Sequence, residues 1–413
     1  MKSMKLFESI NDIDEKIIKE AESKQFSQKN NCLYLWKKIL PVAACIAIVI
    51  IIFLYKANPN VGPISPHSDT DLPMLSIDID NFFSGGYGFE GYMSYDVSDL
   101  KNENPWNEDV QISTLPVFKN TSSYGVSGTA PNPNIKVMQD KAKEVASLLG
   151  IDLEDIEITD NFPSEEMIEK ITEKFAATGE EVPNESFIVD RVYIKSENIE
   201  IEVVSNLVTT IRFKPAITLP QEYNFTHFAT YDDIHKVALY LHEEYKELLQ
   251  MASPTINVNG GDYNIYAEQQ FGISFFDSNG SLEEQIINYN FNYVTFACDE
   301  EGKLFISRIY QPDLSEKIGE YPIITPEQAE QLLTENEYIT TVPESFPGVD
   351  YVKKVELVYR NGREEIFIPY YRFYVEMPSM KRDNGLNTYG AYYVPAIEEQ
   401  YIENMPLWDG SFN

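Results

Sequence analysis

Three kinds of hydrophobic patterning follow one another along the chain. The first is an unbroken apolar run: Ile39 to Tyr55 is 17 residues without a charge or a glycine. At ~1.5 Å per residue, such a helix spans about 26 Å, close to the shorter transmembrane helices. Leu33 to Trp36 extend the apolar character, and Lys37 and Lys38 can snorkel to the interface. Trp36 and Tyr55 suit the two interfacial belts, and Pro41 falls in the first turn, where a missing N–H does no harm. A cleaved signal peptide would need a shorter leading segment than these 38 residues and a small-residue cleavage site after Tyr55. A buried core helix would show a polar face. The run is therefore expected to be an uncleaved transmembrane helix.

The second pattern is helical. Leu6, Ile10, Ile13 and Ile17 recur at helical spacing in the leading segment. Met138, Ala142, Val145 and Leu149 form a stripe that Gly150 ends. Ile234, Val237, Ala238, Leu241, Tyr245 and Leu248 predict a helix over 231–250. In "TPEQAEQLLTE", Thr325 reads as N-cap with Pro326 at the first helical position. Ala329, Leu332 and Leu333 are expected to be buried there, and Glu327 and Glu330 solvated.

The third pattern alternates with period two. "FIVDRVYIK", "NIEIEVVSN" and "LVTTIRF" read as strands, with Ile199, Ile201 and Val203 opposing Glu200, Glu202 and Val204. "SFFDSNGSLEE", "TFACDEEGKLFISRIY" and "VELVYRNGREEIFIPYYRFYVEM" each place a glycine-containing turn between apolar runs and predict hairpins, most strongly at Asn361-Gly362. Helix, strands, helix, strands, helix, strands is the order of α+β units with antiparallel sheets.

These patterns divide the chain into a cytoplasmic tail with a short amphipathic helix (1–38), a transmembrane helix (39–55) and a proline-bearing stalk (56–75). A Gly/Pro/Tyr-rich stretch (76–134) is expected to pack on the exterior domain as an extended segment. Regular structure is expected from 135, as an α+β portion over 135–315 and a C-terminal α+β unit over 316–413. The expected fold class is α+β: one N-terminal transmembrane helix followed by an extracytoplasmic domain of helix-plus-antiparallel-sheet units.

Charge sets the orientation. Residues 1–38 hold eight Lys and six acidic residues, net +2; the rest holds 24 Lys and Arg against 60 Asp and Glu, net −36. After Lys56 no Lys or Arg occurs until Lys101. The positive-inside rule places the N-terminus in the cytoplasm and residues 57–413 outside. An acidic exterior excludes nucleic acid as a partner, since that requires a basic surface. Of Cys32, Cys45 and Cys298, only the last would lie outside, so no disulfide framework holds the exterior domain. Cys298 is expected to be a buried small apolar residue.

The C-terminal unit resembles a known module. "YPIITPEQAEQLL", "VKKVELVYR" and "IPYYRFYVE" are similar to the PepSY-like repeat, in which a helix opened by Ser/Thr-x-Glu-x-Ala precedes strands ending in an aromatic P-x-x-x-F/V strand. Residues 320–400 also resemble the C-terminal part of YycH/YycI-type ectodomains. Those are single-pass Gram-positive proteins that restrain a cell-wall histidine kinase from outside. The resemblance implies a regulatory domain and carries over no catalytic residue. The N-terminal layout, a short charged helix, "WKK" and an apolar anchor, resembles membrane-anchored anti-sigma-type proteins of clostridia. It departs from their zinc-binding pattern, because residues 1–38 hold one Cys and no His.

Motif spacing gives little chemistry. Gly86-x-Gly88-x-x-Gly91 matches the dinucleotide fingerprint, but no helical stripe follows it, and a turn or bent strand is expected there instead. No nucleotide partner is expected. Ser98-x-x-Lys101 lacks the Ser-Asp-Asn and Lys-Thr-Gly elements that would make it a penicillin-recognising site. His235 and His242 are seven apart, not the i, i+4 spacing of a helical zinc pair. In "DSNGSLEE" Gly280 holds the fourth place, not the sixth that a calcium loop needs, so a hairpin turn is expected. The 27 Tyr and 23 Phe are expected to fill sheet cores rather than line a groove. No residue is assigned a catalytic, cofactor-binding or metal-binding role, and no cofactor is expected. The expected function is a non-enzymatic, membrane-anchored binding or regulatory domain, attached through Ile39–Tyr55, with a protein or cell-wall partner outside. The alternative is an extracytoplasmic cell-wall hydrolase with an unrecognised carboxylate site.

Overall fold

Regular structure begins before residue 135. The computed structural model describes residues 72–77, 93–95, 102–121, 134–154, 157–179, 181–182, 184–263, 268–360, 364–380 and 385–410. Within the stretch read as a packed, aperiodic segment lie two strands, β1 (Met93–Tyr95) and β2 (Thr114–Lys119). Leu115 and Val117 of β2 are fully buried. Packing started earlier still, inside the expected stalk. Leu75 is buried, its N–H donates to the Tyr401 carbonyl at 2.7 Å, and the Tyr321 hydroxyl donates to the Pro73 carbonyl at 2.8 Å. The anchor Ile39–Tyr55, the glycine motif 86–91, Ser98, Lys101 and the Asn361-Gly362 turn lie outside the described residues. Among the described residues no helix is long and apolar enough to cross a membrane.

The fold is α+β with antiparallel sheets. Helix α1 (Ile135–Leu148) is capped by Asn134 and buries Met138, Ala142, Val145 and Ala146. Strand β3 (Ile158–Asp160) follows, then α2 (Glu165–Thr178), capped by Ser164 and burying no residue. Next come β4 (Arg191–Lys195), β5 (Ile199–Val204) and β6 (Thr209–Ile217). Helix α3 (Tyr231–Glu244) buries Ile234, Val237, Ala238 and Leu241; the predicted longer helix breaks at Tyr245 and resumes as α4 (Lys246–Leu249). Strands β7 (Pro254–Tyr263), β8 (Gln269–Asp277), β9 (Tyr293–Cys298) and β10 (Leu304–Tyr310) complete an eight-stranded sheet, in the order β3-β4-β5-β6-β10-β9-β8-β7. Two four-stranded meanders, each led by a helix, thus join through their last strands, β6 and β10. One face carries Val203, Ile211, Phe296, Phe275 and Val258, which pack with α1 and α3 in one hydrophobic core.

The turn predicted in "DSNGSLEE" is instead a strand-to-helix junction. Ser281 caps α5 (Leu282–Phe291). Its hydroxyl accepts from the Glu284 N–H at 3.3 Å, and Glu284 accepts from the Ser281 N–H at 2.7 Å. This reciprocal pair is a capping box, and it starts a helix where a hairpin was expected. Beyond β10 run β11 (Lys317–Pro322), α6 (Pro326–Thr334), β12 (Ile339–Thr340), β13 (Val352–Tyr359), β14 (Ile366–Phe367), β15 (Pro369–Glu376) and β16 (Asn387–Pro395). They form a sheet ordered β1-β16-β15-β13, with β12 also on β16, and a three-stranded sheet β11-β2-β14. A second core gathers side chains from both sheets with Ile286 and Phe291 of α5 and Ala329 and Leu333 of α6. Three of its tyrosines donate to backbone carbonyls, the kind of partner buried phenols usually find: Tyr359 to Pro116 at 2.7 Å, Tyr371 to Ile324 at 2.8 Å and Tyr392 to Glu344 at 2.7 Å. Many tyrosines and phenylalanines fill the cores, as expected, but Tyr289, Tyr293, Tyr359 and Tyr393 also line a cavity. Leu332 departs from expectation and is only partly buried.

Candidate functional site

The second face of the eight-stranded sheet is polar. The ladder registers set Tyr193, Glu202, Thr210, Arg308, Thr295, Ser274 and Asn257 side by side across β4, β5, β6, β10, β9, β8 and β7. Alternation of side chains along each strand puts all seven on the face opposite the α1–α3 core. Over β4–β6 the row is an ion-pair layer. Glu202 is buried between Arg191, at 3.1 Å, and Arg212, at 2.6 Å, and Lys214 reaches Glu200 at 2.7 Å. The alternation seen in "NIEIEVV" is therefore real, but its polar face is not simply solvated.

Over β7–β9 a second polar row faces the first. Glu356 of β13 is in register with Arg372 of β15, which is in register with Tyr393 of β16. Between the rows lies a cavity of about 360 Å³. One wall is Asn257, Asn259, Ser274, Thr295 and Tyr293. The other is Val358, Tyr359, Arg360, Arg372 and Tyr393. Tyr289 and Asn290 of α5 close a side. The first wall is held by its own hydrogen bonds: Asn257 and Asn259 both donate to the Ser274 hydroxyl, at 3.0 and 3.2 Å. Tyr293 lies parallel to Tyr310 at 4.9 Å, and Tyr289 meets Phe276 edge-on at 5.3 Å.

Behind the second wall stands Glu356, 1% exposed. It accepts from Lys354 at 2.7 Å, from Asn102 at 2.6 Å, from Arg372 Nε at 3.1 Å and from the Tyr374 hydroxyl at 3.1 Å. Burial favours the neutral acid, but the charges of Arg372 and Lys354 and the hydrogen bonds from Lys354 and Asn102 outweigh it. They bring the carboxyl down to about 2. Arg360 lies 3.9 Å from Glu364 and 4.8 Å from the Tyr393 ring centre. Both arginines of the cavity thus have a carboxylate alongside. Burial raises Tyr289, aided by Glu356 and opposed by Arg372 and Asn257, so it is a neutral phenol at physiological pH. The segment 102–106 stitches the two walls together: the Glu103 N–H donates to Asn257 at 2.9 Å, and Trp106 packs edge-on against Tyr371 at 5.4 Å.

The residues weighed for chemistry from the sequence do not gather here. His235 stacks on Tyr231, and His242 lies 3.3 Å from Glu243, two turns along the same helix. Among the described residues no group of three or more His, Cys, Asp or Glu could hold a metal ion. Cys298 is half-buried rather than buried, with its sulfur 3.7 Å from His227 Nδ1. Burial pushes its thiol up, away from the reactive thiolate. In "DSNGSLEE" the Asp277 carboxylate accepts from the Ala252 and Ser253 N–H groups just before β7, and Glu284 accepts from the Ser281 N–H at the start of α5. The cavity residues come from seven elements and share no spacing. Asn257 and Asn259 alternate with Val258 like any outward-facing strand positions, so the sequence offered no signal for them.

No protein-family model and no curated protein matches the chain. Among solved structures, an uncharacterised protein from Eubacterium rectale ATCC 33656 aligns at 11% identity over 70% of this chain and 84% of that one, with a TM-score of 0.29. A likeness at that score carries no argument about fold or function.

Proposed function

We propose that the chain is a membrane-anchored extracytoplasmic binding domain of regulatory type, and that the cavity between its two polar sheet faces is its ligand site. The observation that carries this reading is the chemistry of the walls: amides, hydroxyls, phenols and two arginines, with no Asp, Glu, His, Cys or Lys among the described lining residues. Such walls orient a ligand and offer no carboxylate, imidazole, thiol or amine as general acid or base. A wall hydrolase would need a pair of working carboxylates. Glu356, the carboxylate just behind the wall, is held ionised by its cations and cannot donate a proton at neutral pH. The membrane attachment rests on the 17-residue apolar run Ile39–Tyr55, and the orientation on the eight lysines before it. The PepSY-like and YycH/YycI-type resemblance of residues 320–400 favours regulation of a protein or wall component outside, without nucleotide or nucleic acid.

A reporter fused after Asn413 tests the topology. A phosphatase that matures only outside should be active and a cytoplasmic reporter silent. Protease added to intact protoplasts should leave a fragment ending near Tyr55. Full protection of the C-terminal domain would overturn the orientation, and with it this function.

A further inference from the structure

We propose that the cavity takes a neutral, hydroxyl-rich ring: a saccharide of one or two rings. The inference rests on the reading of the cavity as the ligand site. The size fits, since 360 Å³ falls at the small end of the roughly 300–1,000 Å³ typical of small-molecule sites.

Charge separates this ligand class from anions. Arg372 is committed to Glu356, and Arg360 lies beside Glu364. Arg360 and Glu364 balance each other, and Arg372 shares Glu356 with Lys354, so the two lining arginines and their partners leave a single unmatched positive charge. An anion would also have to displace or crowd two carboxylates in a protein of net charge −34. A neutral polyol meets no such repulsion.

The remaining wall chemistry is that of hydroxyl recognition. Asn and Arg are planar groups that present fixed donors, and Asn, Ser, Thr and Tyr each offer both a donor and an acceptor, as a sugar hydroxyl does. Tyrosine adds apolar ring surface for the C–H faces of a pyranose. The walls are also set in advance. Ser274 is fixed by Asn257 and Asn259, Tyr293 by Tyr310, and Tyr289 by Phe276. A site that is rigid before binding loses little entropy when it closes on a ligand.

The test uses the full chain in a polyoxyethylene detergent, because maltoside detergents are themselves saccharides. Glucose, cellobiose, N-acetylglucosamine and chitobiose are titrated by calorimetry and saturation-transfer NMR. Acetate, inorganic phosphate and dialanine are run beside them. At least one saccharide should bind, with an affinity unchanged between low and high salt, since no charge is screened. Thr295→Trp, which fills the cavity from β9, should weaken that binding at least about tenfold. Ser274→Ala should weaken it several-fold and serves if the larger substitution lowers the melting temperature. A response to an anion or the peptide, sensitive to Thr295→Trp, with none to any saccharide, overturns the ligand class and leaves the cavity a binding site. Saccharide binding unaffected by both variants overturns the site. Silence across the panel overturns the ligand class and the cavity's role together.

Discussion

Glu356 shows how far one residue's setting departs from its type. Glutamate is ordinarily exposed, and leaving a buried one without partners would be costly. Here two cations and two neutral donors surround it, and its carboxyl sits at about 2 against an ordinary 4.5. A folded-state value below the unfolded one means that the unfolded chain takes up the proton first. The stabilisation is therefore whole above about pH 4.5 and is lost as pH falls toward about 2. Glu356→Gln strands Arg372 and Lys354 and should cost about 3–5 kcal/mol at pH 7. The gap between wild type and variant should shrink steadily from pH 4.5 to pH 2, read by urea denaturation at each pH. A gap that stays constant to pH 3 would mean that the carboxylate does not carry the effect.

At the scale of elements, α6 is a close test of how helices choose a face. Ala329 and Leu333 are fully buried, whereas Leu332 sits at the rim of the core. Leu332 and Leu333 lie 100° apart on the helix, and an apolar stripe of that width admits either as its centre. The position of β16 beneath the helix decides between them. Leu333→Ala should cost ~2–5 kcal/mol, the usual range for a buried leucine. Leu332→Ala should cost less, about 1 kcal/mol, and Glu330→Ala less than about 0.5 kcal/mol. Chemical denaturation of the three variants checks the order; equal losses at Leu332 and Leu333 would place both in the core. The same scale explains the misread turn before α5. Asn279-Gly280 between apolar runs signals a hairpin, while Ser281 and Glu284 three residues apart signal a helix start. The helix prevailed because its apolar residues Ile286 and Phe291 have a core to enter.

For the molecule as a whole, α5 couples the two cores. It departs from the eight-stranded sheet between β8 and β9, yet Phe291 packs 5.1 Å from both Tyr359 and Phe367 in the other core. Residues Asp71–Asn413 accordingly group as one compact unit. Phe291→Ala should cost about 3–5 kcal/mol and destabilise both cores together. Tryptophan fluorescence, which includes Trp106 in the second core, and far-UV circular dichroism, which reports α1 and α3, should give coincident unfolding transitions before and after the substitution. Transitions that separate would show two independent folding units.

The sequence by itself determined what depends on near neighbours. Alternation in "NIEIEVV", the stripes of α1 and α3, the Thr325 cap and the aromatic strands near the C-terminus each follow from spacing and local hydrogen bonds. The α+β class followed from their order. What only the tertiary structure decided depends on residues far apart in the chain. The polar row from Tyr193 to Asn257 exists because β6 meets β10. "TLPVFK" became a central strand because β11 (Lys317–Pro322) and β14 (Ile366–Phe367), far later in the chain, flank it. The cavity exists because two polar faces meet where ion pairs and amides keep each other's groups satisfied. No local pattern distinguishes a polar side chain that faces water from one that faces another sheet, because the alternation that exposes it is the same in both cases.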